Sequence, residues 1–135
     1  MAKSVLTRIL ICLILPFGSN ANDDDLRNSL RRTYRSYIGV TEDGHNAGTE
    51  VEKFQKNVGS KKGLAWCSAF VAYCLDDVEI PHTMSAWSPT CCPDHKIIWK
   101  LNKGEDPQHG DVFGLWGTER INHTGFIDSV DSKYF

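Results

Sequence analysis

The sequence predicts a single α+β domain, with helices first and strands last. Three observations carry that expectation. Apolar residues recur at helical spacing between Leu26 and Leu75. Strand-like segments, Asp111–Trp116 and Asn122–Val130, come only near the end of the chain. A length of 135 residues is room for one compact domain rather than two.

Composition narrows the classes. The chain is 41% apolar and 24% charged, which argues against disorder. Its net charge of -2 gives no basic field for nucleic acid, so no nucleic-acid partner is expected. No apolar run approaches 20 residues, so no membrane span is expected either. A monomer is the expected state.

Residues 1–21 read as a secretory signal peptide. Lys3 and Arg8 precede the apolar stretch Ile9–Leu15. Ser19-Asn20-Ala21 is a small-x-small ending before the polar Asn22-Asp23-Asp24-Asp25. Cleavage after Ala21 would leave a secreted or periplasmic chain, residues 22–135. Four cysteines then remain, Cys67, Cys74, Cys91 and Cys92, too few to frame a domain of this size.

The first helix is written in Leu26, Leu30, Tyr34, Tyr37 and Ile38, ending at Gly39. Arg27, Arg31, Arg32 and Arg35 fill its other faces and read as a solvated surface rather than a patch for an anionic polymer. Thr41–Gly48 is a loop. Thr49 then caps a second helix, with Glu52 completing a capping box and Val51, Phe54 and Val58 as its stripe. Trp66–Leu75 is apolar nearly all round and should be a central, buried helix. Asp94–Leu101 reads as a short helix, followed by a turn and the two strands. Two strands alone make a marginal sheet, so more strands are expected than the pattern displays.

The chemistry concentrates at Gly63-Leu64-Ala65-Trp66-Cys67-Ser68. A glycine-containing loop opens a buried helix with Cys67 in its first turn. Unpaired N–H groups and the positive helix end favour a thiolate there, and the same groups can receive an oxyanion. A nucleophile needs a base within hydrogen-bond reach. His123, on the last strand, is the candidate, and Gly125 leaves space beside it on the same strand face.

These residues belong to a wider pattern. Tyr37-Ile-Gly-Val-Thr-Glu42, Gly44-His-Asn-Ala-Gly48, Val51-Glu-Lys-Phe54, Gly63-Leu-Ala-Trp-Cys-Ser-Ala-Phe-Val71, Gly110-Asp-Val-Phe-Gly114 and His123-Thr-Gly-Phe-Ile127 follow one another over most of the chain. Together they resemble the CHAP family. These are cysteine, histidine-dependent amidohydrolases and peptidases, relatives of the NlpC-type cell-wall hydrolases. The resemblance implies a papain-like α+β fold, with N-terminal helices packed on a small antiparallel sheet. It implies Cys67 as nucleophile and His123 as base. It also implies a peptidoglycan or peptide substrate cleaved at an amide bond. Such enzymes usually carry a third polar residue on the strand after the histidine strand. This chain ends before that strand, so the domain is expected to be incomplete at its C-terminus and the third catalytic residue is unassigned. Asp128 alternates to the opposite strand face from His123 and is a poor substitute.

The remaining polar residues read more plainly. Cys74 fits a core position, and one of Cys91 or Cys92 could pair with it in an oxidising compartment. Cys91-Cys92-Pro93-Asp94-His95 fits no standard zinc spacing, so neither metal nor cofactor is expected. His45, His82, His95 and His109 fall in polar or turn segments. Trp66 and Trp87 are the candidate substrate-lining residues, with a core role equally open for Trp66. The alternative to a hydrolase is a catalytically weak or inactive cell-wall-binding relative on the same scaffold. A secreted binding domain held by disulfides or zinc is a third reading.

Overall fold

The computed structural model describes residues 8–12, 21–100 and 103–131. Most of the expected leader lies outside them. The elements are β1 (Arg8–Cys12), α1 (Ala21–Ser36), α2 (Thr49–Asn57), α3 (Cys67–Asp77), β2 (Ile97–Lys100), β3 (Lys103–Gly104), β4 (Val112–Trp116) and β5 (Ile121–Phe126). Short 3-10 turns cover Ser88–Cys91 and Asp94–Lys96. The architecture is α+β, as the sequence predicts: three helices pack on an antiparallel sheet of order β3-β2-β1-β4-β5.

The additional strands have readable causes. Asp94–Leu101 is not a helix. Only its first residues form a turn, and Ile97–Lys100 pairs as β2. The run Ile97-Ile98-Trp99 is β-branched and aromatic, which suits a pleated surface better than a helix. Arg8–Cys12, inside the expected leader, runs between β2 and β4. Leu10, Ile11 and Cys12 are buried there. A short apolar run suits a leader core and a central strand equally well, because periodicity is absent from both.

The cysteine pairing also differs from expectation. Cys92 is bonded to Cys12, not to Cys74, while Cys67, Cys74 and Cys91 are free thiols. Cys12 lies within the expected leader, so the sequence offers no reason to pair it with Cys92. Cys74 is fully buried, and burial pushes its thiol up to about 12.

Helix α3 is the centre of the packing and touches α1, α2 and β5. Val71, Cys74 and Leu75 enter a core shared with Leu30 and Tyr34 of α1, Val112 of β4 and Ile121 of β5. Phe54 of α2 is fully buried and sits among the rings of Tyr37, Trp66, Phe70 and Tyr73. Such edge and offset ring contacts hold α2 and α3 at a fixed distance.

The arginine face of α1 is not simply solvated. Arg27 is buried and meets Asp111 at 2.9 Å, while also donating to the His109 carbonyl. Arg31, Arg35 and Tyr34 converge on Asp128, whose carboxyl is held far below the usual range, first by Arg35 and then by Arg31. Asp128 lies just beyond the end of β5 at Phe126 and is committed to α1. The second helix is capped differently from the prediction. Gly48, at φ 115°, is the N-cap, and its N–H donates to Glu52 at 3.3 Å. Thr49 is already inside the helix, so only the carboxylate half of the capping box forms.

Candidate active site

Helix α3 begins at Cys67, with Trp66 as its N-cap. The first intrahelical bond, from the Phe70 N–H to the Trp66 carbonyl, is 2.8 Å. The N–H groups of the first turn thus have no earlier carbonyl to bond. No acidic residue occupies that turn to oppose an anion on the sulfur.

Two other elements close on the sulfur. From β5, the His123 imidazole and the Thr124 backbone come close enough to the sulfur to act on its ionisation. From the turn Ser88–Cys91, Ser88 Oγ lies 3.3 Å from Cys67 Sγ. Burial acts first and opposes ionisation of the thiol. The His123 and Ser88 hydrogen bonds, the imidazole charge and the Thr124 N–H together outweigh it and bring the thiol down to about 7. The hydrogen bond to Cys67 raises the His123 imidazole above its ordinary value, against a smaller effect of burial. The thiol is thus lowered and the imidazole raised, and the two shifts favour transfer of the proton from sulfur to ring.

The strand geometry explains how His123 reaches this place. In the register of β4 with β5, Leu115 faces His123 and Trp116 faces Ile121. Asn122 is the extra residue of that bulge, which re-aims the side chains that follow it. The space beside Gly125 is not open. Phe113 lies opposite Gly125, and a Cβ there would come within 2.8 Å of the phenyl ring. The ring that fills this place also leans on His123, with centroids 6.0 Å apart.

A pocket of about 510 Å³ opens over the pair. Tyr37, Val40, Phe54, Trp66 and Phe70 give it apolar walls, and Glu42, Asn46 and Asn122 bring polar groups to them. Gln55 fixes the two loops that form one side. Its Nε2 donates to the Asn46 carbonyl at 2.9 Å and to the Leu64 carbonyl at 2.6 Å. Asn46 Nδ2 adds a bond to the Gly63 carbonyl at 3.3 Å. Trp66 Nε1 donates to Glu42 at 2.6 Å, and this bond, followed by that of the Asn46 N–H, holds the Glu42 carboxyl below its ordinary value.

Of the residues singled out from sequence, Cys67, His123 and Trp66 meet at this pocket. Trp87 is not among the residues that line it and stands 56% exposed on the neighbouring loop. His82 is engaged by Asp76 at 3.0 Å and accepts from the Met84 N–H, so it serves its own loop. Sequence reasoning missed Ser88 and Glu42. Ser88 carried only the signal of an irregular loop after the cysteine helix. Glu42 ended the motif Tyr37–Glu42 with no role assigned to it. Comparisons with known protein families, with characterised proteins and with solved structures found no match to this chain.

Proposed function

We propose that the protein is a cysteine amidohydrolase or peptidase that cleaves an amide bond of peptidoglycan, on a CHAP-like, papain-like scaffold. The observation that carries this reading is the sulfur of Cys67. It stands at a helix N-terminus, beside the His123 imidazole that lowers its pKa, and lines the same pocket. The substrate class comes from the family resemblance rather than from the pocket.

The reaction follows from the placement of groups. Cys67 gives its proton to His123, and the thiolate attacks the amide carbonyl carbon. The carbonyl oxygen becomes an oxyanion facing the N–H groups of the first turn of α3. His123 returns the proton to the amide nitrogen, the C–N bond breaks and the amine departs. A thioester remains on Cys67. Water then loses a proton to His123 and adds to the thioester carbonyl. The carbon–sulfur bond breaks, the acid is released and the thiol is restored.

Purified cell-wall sacculi test this. The parent should release free amino groups, and Cys67→Ala should release none while unfolding at the parent's midpoint. Equal release by Cys67→Ala would overturn the mechanism. Binding to sacculi with no release by the parent would favour the inactive wall-binding relative.

Export belongs to the same proposal, with the leader removed after Ala21. Cleavage there would also remove β1 and Cys12, so both cannot describe the mature chain. An intact mass beginning at Asn22 is expected from the exporting host. A mature chain retaining the Cys12–Cys92 bond would overturn cleavage.

A further inference from the structure

Among the described residues, the pocket lining holds one side-chain charge that the cysteine–histidine chemistry does not use. Glu42 lies in the same lining as Cys67 and His123. Its Oε1 accepts from Trp66 Nε1 and its Oε2 from the Asn46 N–H at 3.2 Å. These two bonds fix the carboxylate without filling it, because a carboxylate offers about four acceptor positions. Glu42 remains exposed to solvent. The proton that leaves Cys67 goes to His123, so that pair is neutral as a unit in either form. The other lining residues, Tyr37, Asn46 and Asn122 among them, carry no formal charge. Lys53 bonds the Tyr37 hydroxyl at 2.9 Å but is also bonded to Glu50 and is not in the lining. His45 is the other titratable group that acts on Glu42, and it is exposed.

We infer that Glu42 makes this pocket selective for substrates bearing a free ammonium group close to the scissile amide. The inference rests on the amidohydrolase reading of Cys67 and His123. It adds the chemical class of what they cleave: a peptide whose α-amine or side-chain amine is unmodified. The apolar rings of Phe54, Trp66 and Phe70 receive the rest of the substrate, and the carboxylate sets which charge enters.

Thiol reagents of different charge test this without a cleavable substrate. Cys67 is labelled in the intact protein with cationic 2-aminoethyl, neutral methyl and anionic 2-sulfonatoethyl methanethiosulfonate, and the peptide carrying Cys67 is followed by mass. The neutral reagent corrects for any change in thiolate content. Glu42→Gln keeps an acceptor for Trp66 Nε1 and removes only the charge. The cation-to-anion rate ratio should fall about fivefold in Glu42→Gln, the scale expected of an exposed charge acting with opposite sign on two reagents. A ratio that Glu42→Gln leaves unchanged overturns ammonium selectivity and leaves the nucleophile standing. A Cys67 that none of the three reagents labels overturns both readings.

Discussion

The hydroxyl of Ser88 offers the sharpest measure of how the thiol is activated. Ser88 Oγ is 3.3 Å from Cys67 Sγ, and both residues are partly buried. A hydrogen bond to a charged group contributes about 1.5–3 kcal/mol, and access to solvent places this one near the lower end. One pH unit corresponds to about 1.4 kcal/mol. Ser88→Ala should therefore raise the thiol by about one unit, from about 7 in the parent. The assay is the rate of Cys67 alkylation by iodoacetamide as a function of pH, since the thiolate is the reacting form. The parent's rate should rise through a midpoint near 7 and that of Ser88→Ala through one near 8, at equal plateau rates at high pH. His123→Ala should move the midpoint further, because it removes both a hydrogen bond and a positive charge. If Ser88→Ala titrates with the parent while His123→Ala does not, the hydroxyl has no part in holding the thiolate.

Two stability predictions accompany it. Asp111→Ala leaves the guanidinium of Arg27 buried without its partner and should cost about 3–5 kcal/mol in urea unfolding. Adding Arg27→Met to that variant should recover part of the loss, because the stranded charge is gone. Asp128 titrates below its unfolded value, so the stability it contributes is present above about pH 4 and is lost as pH falls below that. Asp128→Asn should accordingly flatten the acid limb of a thermal-midpoint profile and leave its shape above about pH 6 unchanged.

The helical half of the fold was legible because its periodicity is strong and its breaks are glycines. Leu26, Leu30 and Tyr34 lie in α1, and Val51 and Phe54 in α2. The strands were harder. Val112–Trp116 and Ile121–Phe126 stood out by composition, yet Ile97–Lys100 was hidden behind a charged start that resembles a helix cap. Arg8–Cys12 was hidden for a different reason, since its apolar run has a second physical meaning at the start of a chain. At the candidate site, Cys67 and His123 were readable because Cys67 opens a helix and His123 lies within a strand whose types the pattern fixes. Ser88 and Glu42 were not, because loops place side chains by tertiary contacts, which leave no period in the sequence. The charged face of α1 shows the same limit. Nothing in the spacing of Arg27 and Arg31 tells which will meet a carboxylate brought from the far end of the chain.

The amide of Gln55, which ties the Asn46 carbonyl to the Leu64 carbonyl, bears on how this cleft meets its ligand. One side chain staples the two loops of that side, so an entering ligand finds the wall already shaped and loses little to ordering it. Choice among ligands then rests on fit to a preset wall. Drift at Gln55 would blur that choice long before it loosened the core.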